Sequence, residues 1–142
     1  TTGIQFGEGF LKGLLAEGTA NFSSEKPAYA MTAFKQKYPE QAIDFAHSLQ
    51  QALYREGIDL DKWENYGPLA ETYGWDSDKF VEIIQRPETA TMTDQEFQLV
   101  QEWGIMGFPS VVVKQGEKAF ALARGYLPYD SLEANLKQIL SA

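Results

Sequence analysis

Cysteine is absent from these 142 residues, and histidine occurs once, at His47. The first absence excludes disulfides, a thiol nucleophile and cysteine-type zinc sites within the chain. The second excludes any Ser-His-Asp triad not built on His47. Basic residues are also few: 12 Lys and Arg stand against 20 Asp and Glu, giving a net charge of −8 and a pI near 4.6. Such a surface repels phosphate backbones and anionic lipid, so neither nucleic acid nor a membrane is expected as a partner. No apolar run approaches the roughly 20 residues that a spanning helix needs. The chain opens Thr1-Thr2-Gly3, without an initiator Met, a basic leader or an apolar leader segment. Internal repeats and low-complexity tracts are missing as well.

What is present is core material. Hydrophobic residues make up 44% and aromatics 13%, which suffices for a buried core and excludes wholesale disorder. Phe10, Leu11, Leu14 and Leu15 have the spacing of a short apolar helix face, ended by Gly18, Asn21 and Ser23-Ser24. Pro27 suits a first helical turn, with Ala30, Met31 and Phe34 following. Pro39 opens the next helix, whose stripe runs Ala42, Ala46, Leu49, Leu53 before Gly57 stops it. Asp59 or Asp61 is expected to cap a helix through Trp63, Tyr66, Leu69 and Tyr73 that breaks at Gly74. Asp76 or Ser77 is expected to cap another through Phe80, Ile83 and Ile84, halted by Pro87. Thr93-Asp94-Gln95-Glu96 reads as a capping box with Met92 and Phe97 as its staple, predicting a helix from Thr93 to about Trp103.

Residue types that carry chemistry elsewhere read structurally here. His47 sits beside the apolar stripe of its helix and is expected as a packed or half-exposed histidine rather than a base. Asp59-x-Asp61 and Asp76-x-Asp78 lack the glycine and closing glutamate of a calcium loop, so capping is expected and no metal site. Asn21-Phe22-Ser23 matches a glycosylation sequon, a pattern short enough to recur by chance. The glycines at 3, 7, 9, 13 and 18 form no phosphate fingerprint and read as close packing and loop freedom. Trp63, Tyr66, Tyr73 and Trp75 are expected in the core of the helical region rather than around a ligand.

The texture changes at Ser110-Val111-Val112-Val113, a β-branched run of the kind found in strands buried on both faces. Gln115-Gly116-Glu117 is a turn, and Ala119 to Ala123 returns as the second arm of a hairpin. A last helix begins near Pro128, with Leu132, Leu136, Ile139 and Leu140 on one face. A lone two-stranded hairpin is marginal in water and leaves open edges, so strands from elsewhere are expected to complete the sheet. Burial worth roughly 1.5–3 kcal/mol per valine is at risk without them, against domain stabilities of about 5–15 kcal/mol. The bare 142 residues are therefore expected to be marginal or oligomeric. Just ahead of the strand stands Gly104-Ile105-Met106-Gly107-Phe108-Pro109-Ser110. A proline there cannot donate to the ladder. A trans bond in an ordinary loop is the commoner solution; a cis Phe108–Pro109 bond would leave the Phe108 backbone free to pair with an extended ligand.

Thr93-Asp94-Gln95-Glu96-Phe97, the run from Trp103 through Val113, and Ala123-Arg124-Gly125-Tyr126-Leu127-Pro128-Tyr129 together resemble the C-terminal half of a DsbA-like protein. The similarity is to the protein-disulfide-isomerase branch of the thioredoxin superfamily. The helices from about Pro27 to Arg86 resemble the helical insertion of that branch, and Phe6-Gly7-Glu8-Gly9-Phe10 its leading segment. The resemblance implies an α+β, mostly helical fold: the C-terminal part of a thioredoxin-like fold, hairpin plus helix, with a large helical insertion. It implies an insertion subdomain over 1–92 and the thioredoxin-like C-terminal half over 93–142. It also implies a strand–helix–strand unit of about 30 residues or more ahead of Thr1, carrying Cys-x-x-Cys. There a helix N-terminus would stabilise the thiolate, and exchange would pass through a mixed disulfide. Pro109 would be the cis proline, with Gly107 and Phe108 beside it holding substrate; no catalytic residue lies in the chain itself.

The activity so implied is thiol–disulfide exchange on polypeptide or small-thiol substrates, without a cofactor, in the bacterial cytoplasm, the periplasm being the second choice. Two alternatives stay open. Kappa-class glutathione transferases and 2-hydroxychromene-2-carboxylate isomerases have a similar layout, with Ser in place of the cysteine and glutathione bound. A non-enzymatic relic would bind peptides, or form homo-oligomers by lending its open sheet edge.

Overall fold

A computed structural model describes residues 3–141. The chain divides into two compact units, one reaching to Gln95 and the other starting at Glu96.

The first unit is helical. A wide, bent turn at Gly9–Leu14 runs into the three residues of α1 (Leu15–Glu17), and of the expected apolar face only Phe10 is buried. Next come α2 (Glu25–Lys35), α3 (Ala42–Gln51), α4 (Tyr66–Glu71), α5 (Ser77–Ile84) and the start of α6 (Pro87–Glu102). Pro27 does lie in the first turn of α2, and Pro39 opens a 3-10 turn ahead of α3. The core is aromatic: Phe34 of α2 and Phe45 of α3 stack with centroids 4.1 Å apart, and Tyr73 meets both edge-on. Tyr66 is fully buried, with Trp63, Tyr73 and Trp75 packed around the same cluster, as their spacing led us to expect. The Tyr66 hydroxyl donates to the Leu60 carbonyl at 2.6 Å. Burial, and then Asp61 and Asp59, push its pKa well above the ordinary tyrosine value.

The buried face of α3 is Phe45 and Leu49, continued by Ala52, rather than the Ala42–Ala46–Leu49–Leu53 stripe. The stack with Phe34 rotates the helix toward its largest side chain. Asp76 caps α5 as expected, accepting the Lys79 N–H at 2.8 Å. Asp59 and Asp61 cap no helix: Asp59 accepts the Asp61 N–H within a turn at 3.0 Å, and Asp61 pairs with Lys26 at 2.9 Å. The Thr93 capping box is overturned. The helix begins six residues earlier at Pro87, where the Arg86 carbonyl already accepts the N–H groups of Thr89 and Ala90. Thr93 is buried in mid-helix, its hydroxyl 2.9 Å from both the Thr89 carbonyl and the Thr32 hydroxyl, and the supposed staple residue Phe97 is exposed.

Close packing of glycine is real at two of the places the sequence suggested. A Cβ on Gly7 or Gly9 would run into the backbone carbonyls of Arg55 or Glu56, while the Gly7 N–H donates to the Tyr54 carbonyl at 2.9 Å.

The second unit is a hairpin and a helix. Strand β1 (Ser110–Gln115) pairs antiparallel with β2 (Lys118–Arg124) around Gly116, and α7 (Tyr129–Ser141) follows. The register slips between Val111 and Val112, so that Ser110 faces Arg124 and Val112 faces Ala121. Helix α7 lies against β2, where the Asn135 amide donates to the Leu122 carbonyl at 3.1 Å. Among the described residues the sheet has two strands. Val111 is accordingly exposed and Val112 and Val113 only half-buried, not buried on both faces as the β-branched run suggests.

Candidate functional site

The segment between α6 and β1 is built by three local hydrogen-bonding devices. Past the end of α6, Gly104 at φ +65 donates to the Gln101 carbonyl at 2.9 Å and Ile105 to that of Val100 at 3.2 Å, which turns the chain sharply off the helix. The Ser110 hydroxyl donates to the Gly107 carbonyl at 2.6 Å, closing the turn from the other side. The Pro109 carbonyl accepts the Gly125 N–H at 2.8 Å, extending the hairpin by one bond beyond Ser110–Arg124. The Phe108–Pro109 peptide bond is cis.

Within this frame Phe108 is left over. Among the described residues neither its backbone N–H nor its carbonyl has a partner, and its side chain is 81% exposed. Met106, two residues earlier, is 96% exposed. Buried backbone groups are nearly always paired; an exposed, unpaired residue two positions ahead of a strand is instead a place where a second chain can hydrogen-bond. Beside it lies a cavity of about 380 Å³. The loop residues Trp103, Ile105, Met106 and Phe108 line it, as do Val112 and the alanines of β2. Arg124 is the one charged residue in the lining. Gly107, Phe108 and Pro109 are thus brought together in one loop. Arg124 and Trp103 were not picked out as site residues by sequence: their place in the lining depends on the hairpin register and on the turn after α6.

The remaining residues of chemical interest stay apart. His47 is exposed on α3 and lines a separate cavity of about 300 Å³ in the helical unit, with Ile4, Phe6, Tyr54 and Arg55. No carboxylate or nucleophile accompanies it there, so a base role has no support. Asp59, Asp61, Asp76 and Asp78 form no metal-binding group, and none of three or more such ligands occurs among the described residues. No helix among them is long and apolar enough to cross a membrane.

The family model for the DsbA-like thioredoxin domain matches residues 11–137. The chain therefore belongs to the DsbA-like thioredoxin family, a family of thiol–disulfide oxidoreductases. It is similar in structure to a candidate protein disulfide isomerase from Nitrosomonas europaea, with a TM-score of 0.80 and 27% identity over 85% of this chain and 59% of that one. It is also similar to the cytosolic disulfide reductase DsbM from Pseudomonas aeruginosa, solved with glutathione, with a TM-score of 0.78 and 25% identity over 99% of this chain and 70% of that one. The present chain thus spans little more than half the length of the Nitrosomonas protein. No curated protein sequence matches it. The fold is that of a DsbA-like domain with a helical insertion, and the chain contains none of the cysteines on which exchange depends.

Proposed function

We propose that this chain is the substrate-docking portion of a cytoplasmic thiol–disulfide oxidoreductase, acting on polypeptides or on small peptidic thiols such as glutathione. The observation that carries this reading is the unpaired backbone of Phe108, just ahead of Pro109. An extended substrate adds to that backbone as an extra strand, its main chain supplying affinity and its side chains reaching the neighbouring cavity. The residues present bind and orient; the thiolate chemistry belongs to a cysteine pair, and these 142 residues contain none. The similarity to a cytosolic reductase solved with glutathione supports both the compartment and the small-thiol substrate. Glutathione here is a substrate rather than a resident cofactor. Among the described residues the outer edge of β1 is unpaired, an edge by which two copies would associate at high concentration, which sedimentation measurements across a dilution series would register.

Titration of the isotope-labelled protein with a blocked, neutral, extended peptide tests the reading. Amide shifts are expected at Gly107, Phe108 and Ser110 and at their neighbours on β1. Shifts confined to the helical unit, or none at millimolar peptide, would sink it.

A further inference from the structure

The loop explains how a backbone is held but not which backbone is preferred. The charge around it is informative. The protein carries −8 overall, yet no carboxylate lines the cavity beside Phe108, and the single charged group there is Arg124. Its place is fixed by the hairpin: Arg124 faces Ser110 across the ladder, and the next residue, Gly125, donates to the Pro109 carbonyl at 2.8 Å. The backbone that carries Arg124 is thereby tied to the docking loop. Several cations elsewhere are engaged, among them Arg86 with Glu82 at 2.6 Å and Lys26 with Asp61 at 2.9 Å; what sets Arg124 apart is its place in the lining of this cavity. Among the described residues Arg124 has no ion pair and no side-chain hydrogen bond.

We propose that Arg124 is a specificity residue of this docking site, selecting substrates that carry a carboxylate on the extended backbone held by Phe108. The inference rests on the docking reading above and deepens it. The acidic surface does not defeat it. Charges spread over the exterior are screened within about 8 Å at physiological ionic strength, whereas a carboxylate in contact with the guanidinium is not. A planar guanidinium engages a carboxylate through two parallel N–H···O bonds, which a lysine ammonium cannot reproduce. In a cavity with no other charge the pair has no competitor within the lining. Two sources offer this chemistry: a small peptide with its own carboxylates, of the glutathione type, and an acidic side chain within a longer polypeptide.

Binding calorimetry with four ligands separates them. S-methylglutathione, its thiol blocked so that no exchange interferes, is compared with its diethyl ester. A blocked extended hexapeptide with one central Glu is compared with its Gln counterpart. At least one carboxylate-bearing ligand should bind about ten-fold or more tightly than its partner without that carboxylate, the size expected of one charge-assisted pair. That margin should vanish in Arg124→Gln and survive only in part in Arg124→Lys; which pair shows it identifies the source. Equal binding of ligands with and without the carboxylate, or a margin that persists in Arg124→Gln, overturns the role of Arg124 while leaving docking at Phe108 intact. Failure of all four ligands to bind the wild-type protein overturns both. Because the ligands themselves are varied, the result does not hang on how well the variant folds.

Discussion

The helical unit and the hairpin unit treat their aromatic and aliphatic residues in opposite ways. In the first, Phe34, Phe45, Tyr66, Phe80 and Ile84 are fully enclosed and the rings order one another. In the second, Leu122 is the one buried hydrophobic residue among those described, while Met106, Phe108, Tyr126 and Tyr129 face outward. Ten buried residues of the helical unit form one cluster, so that unit holds the material for its own stability. The hairpin unit holds the material for contact. Exposed apolar residues scattered singly mean little, but Met106 and Phe108 belong to a loop in which the Phe108 backbone is unpaired. Stability and recognition are thus assigned to different stretches of sequence, and variants should separate them.

The largest effect should come from Phe45→Ala. Removing a fully buried ring from the stack with Phe34 is expected to cost about 3–5 kcal/mol, read by urea unfolding followed through helical circular dichroism. Hydrogen exchange on the same variant sharpens the contrast: amides of β1 and β2 that lose protection in step with the helices would show that the two units unfold as one.

Tyr66→Phe should cost about 1–3 kcal/mol, since it leaves the Leu60 carbonyl without its donor. This loss depends on pH. The raised pKa of Tyr66 means that the folded protein keeps the phenol proton where the unfolded chain has lost it. Its contribution is complete below about pH 10, the ordinary tyrosine value, and disappears as pH rises through the folded value. The gap between wild type and variant should therefore narrow on the alkaline side; a constant gap would place Tyr66 in a less enclosed setting.

Smaller again is Asp76→Ala, expected to cost about 1 kcal/mol through loss of the cap on α5. Thermal unfolding would show it. At the bottom of the scale stands Phe108→Ala, which should change stability by no more than about 0.5 kcal/mol because the ring is exposed. The same substitution should weaken binding of the neutral extended peptide severalfold. A destabilisation as large as that of Phe45→Ala would erase the distinction between the two units.

What could be read from sequence follows the range of the interactions. The Asp76 cap, the stop at Gly57 and the hairpin around Gly116 are set by residues within a few positions of one another, and all three are found in the structure. Thr93-x-x-Glu96 misleads because a capping box is a local pattern, and a helix that starts at Pro87 simply runs through it. Its threonine is used instead by Thr32, 61 residues away in sequence. The buried face of α3 escapes a local pattern for the same reason: Phe34 decides it, from another helix. Gly107, Phe108 and Pro109 stand out as docking candidates through the family resemblance; spacing alone favours an ordinary loop with a trans proline. Arg124 joins them only through the hairpin register and the bond from Gly125 to Pro109, which spacing alone does not disclose.

Where Gly7 and Gly9 pass Arg55, Glu56 and Gly57, main chain lies on main chain with no side chain between. A mutational scan of the protein should therefore show a sharp local contrast: near-total intolerance at Gly7, Gly9 and Gly57, beside free variation at the exposed Ile4. Even alanine, the smallest possible step, is blocked at all three, so this crossing cannot be remodelled one residue at a time and constrains how the segment can diverge.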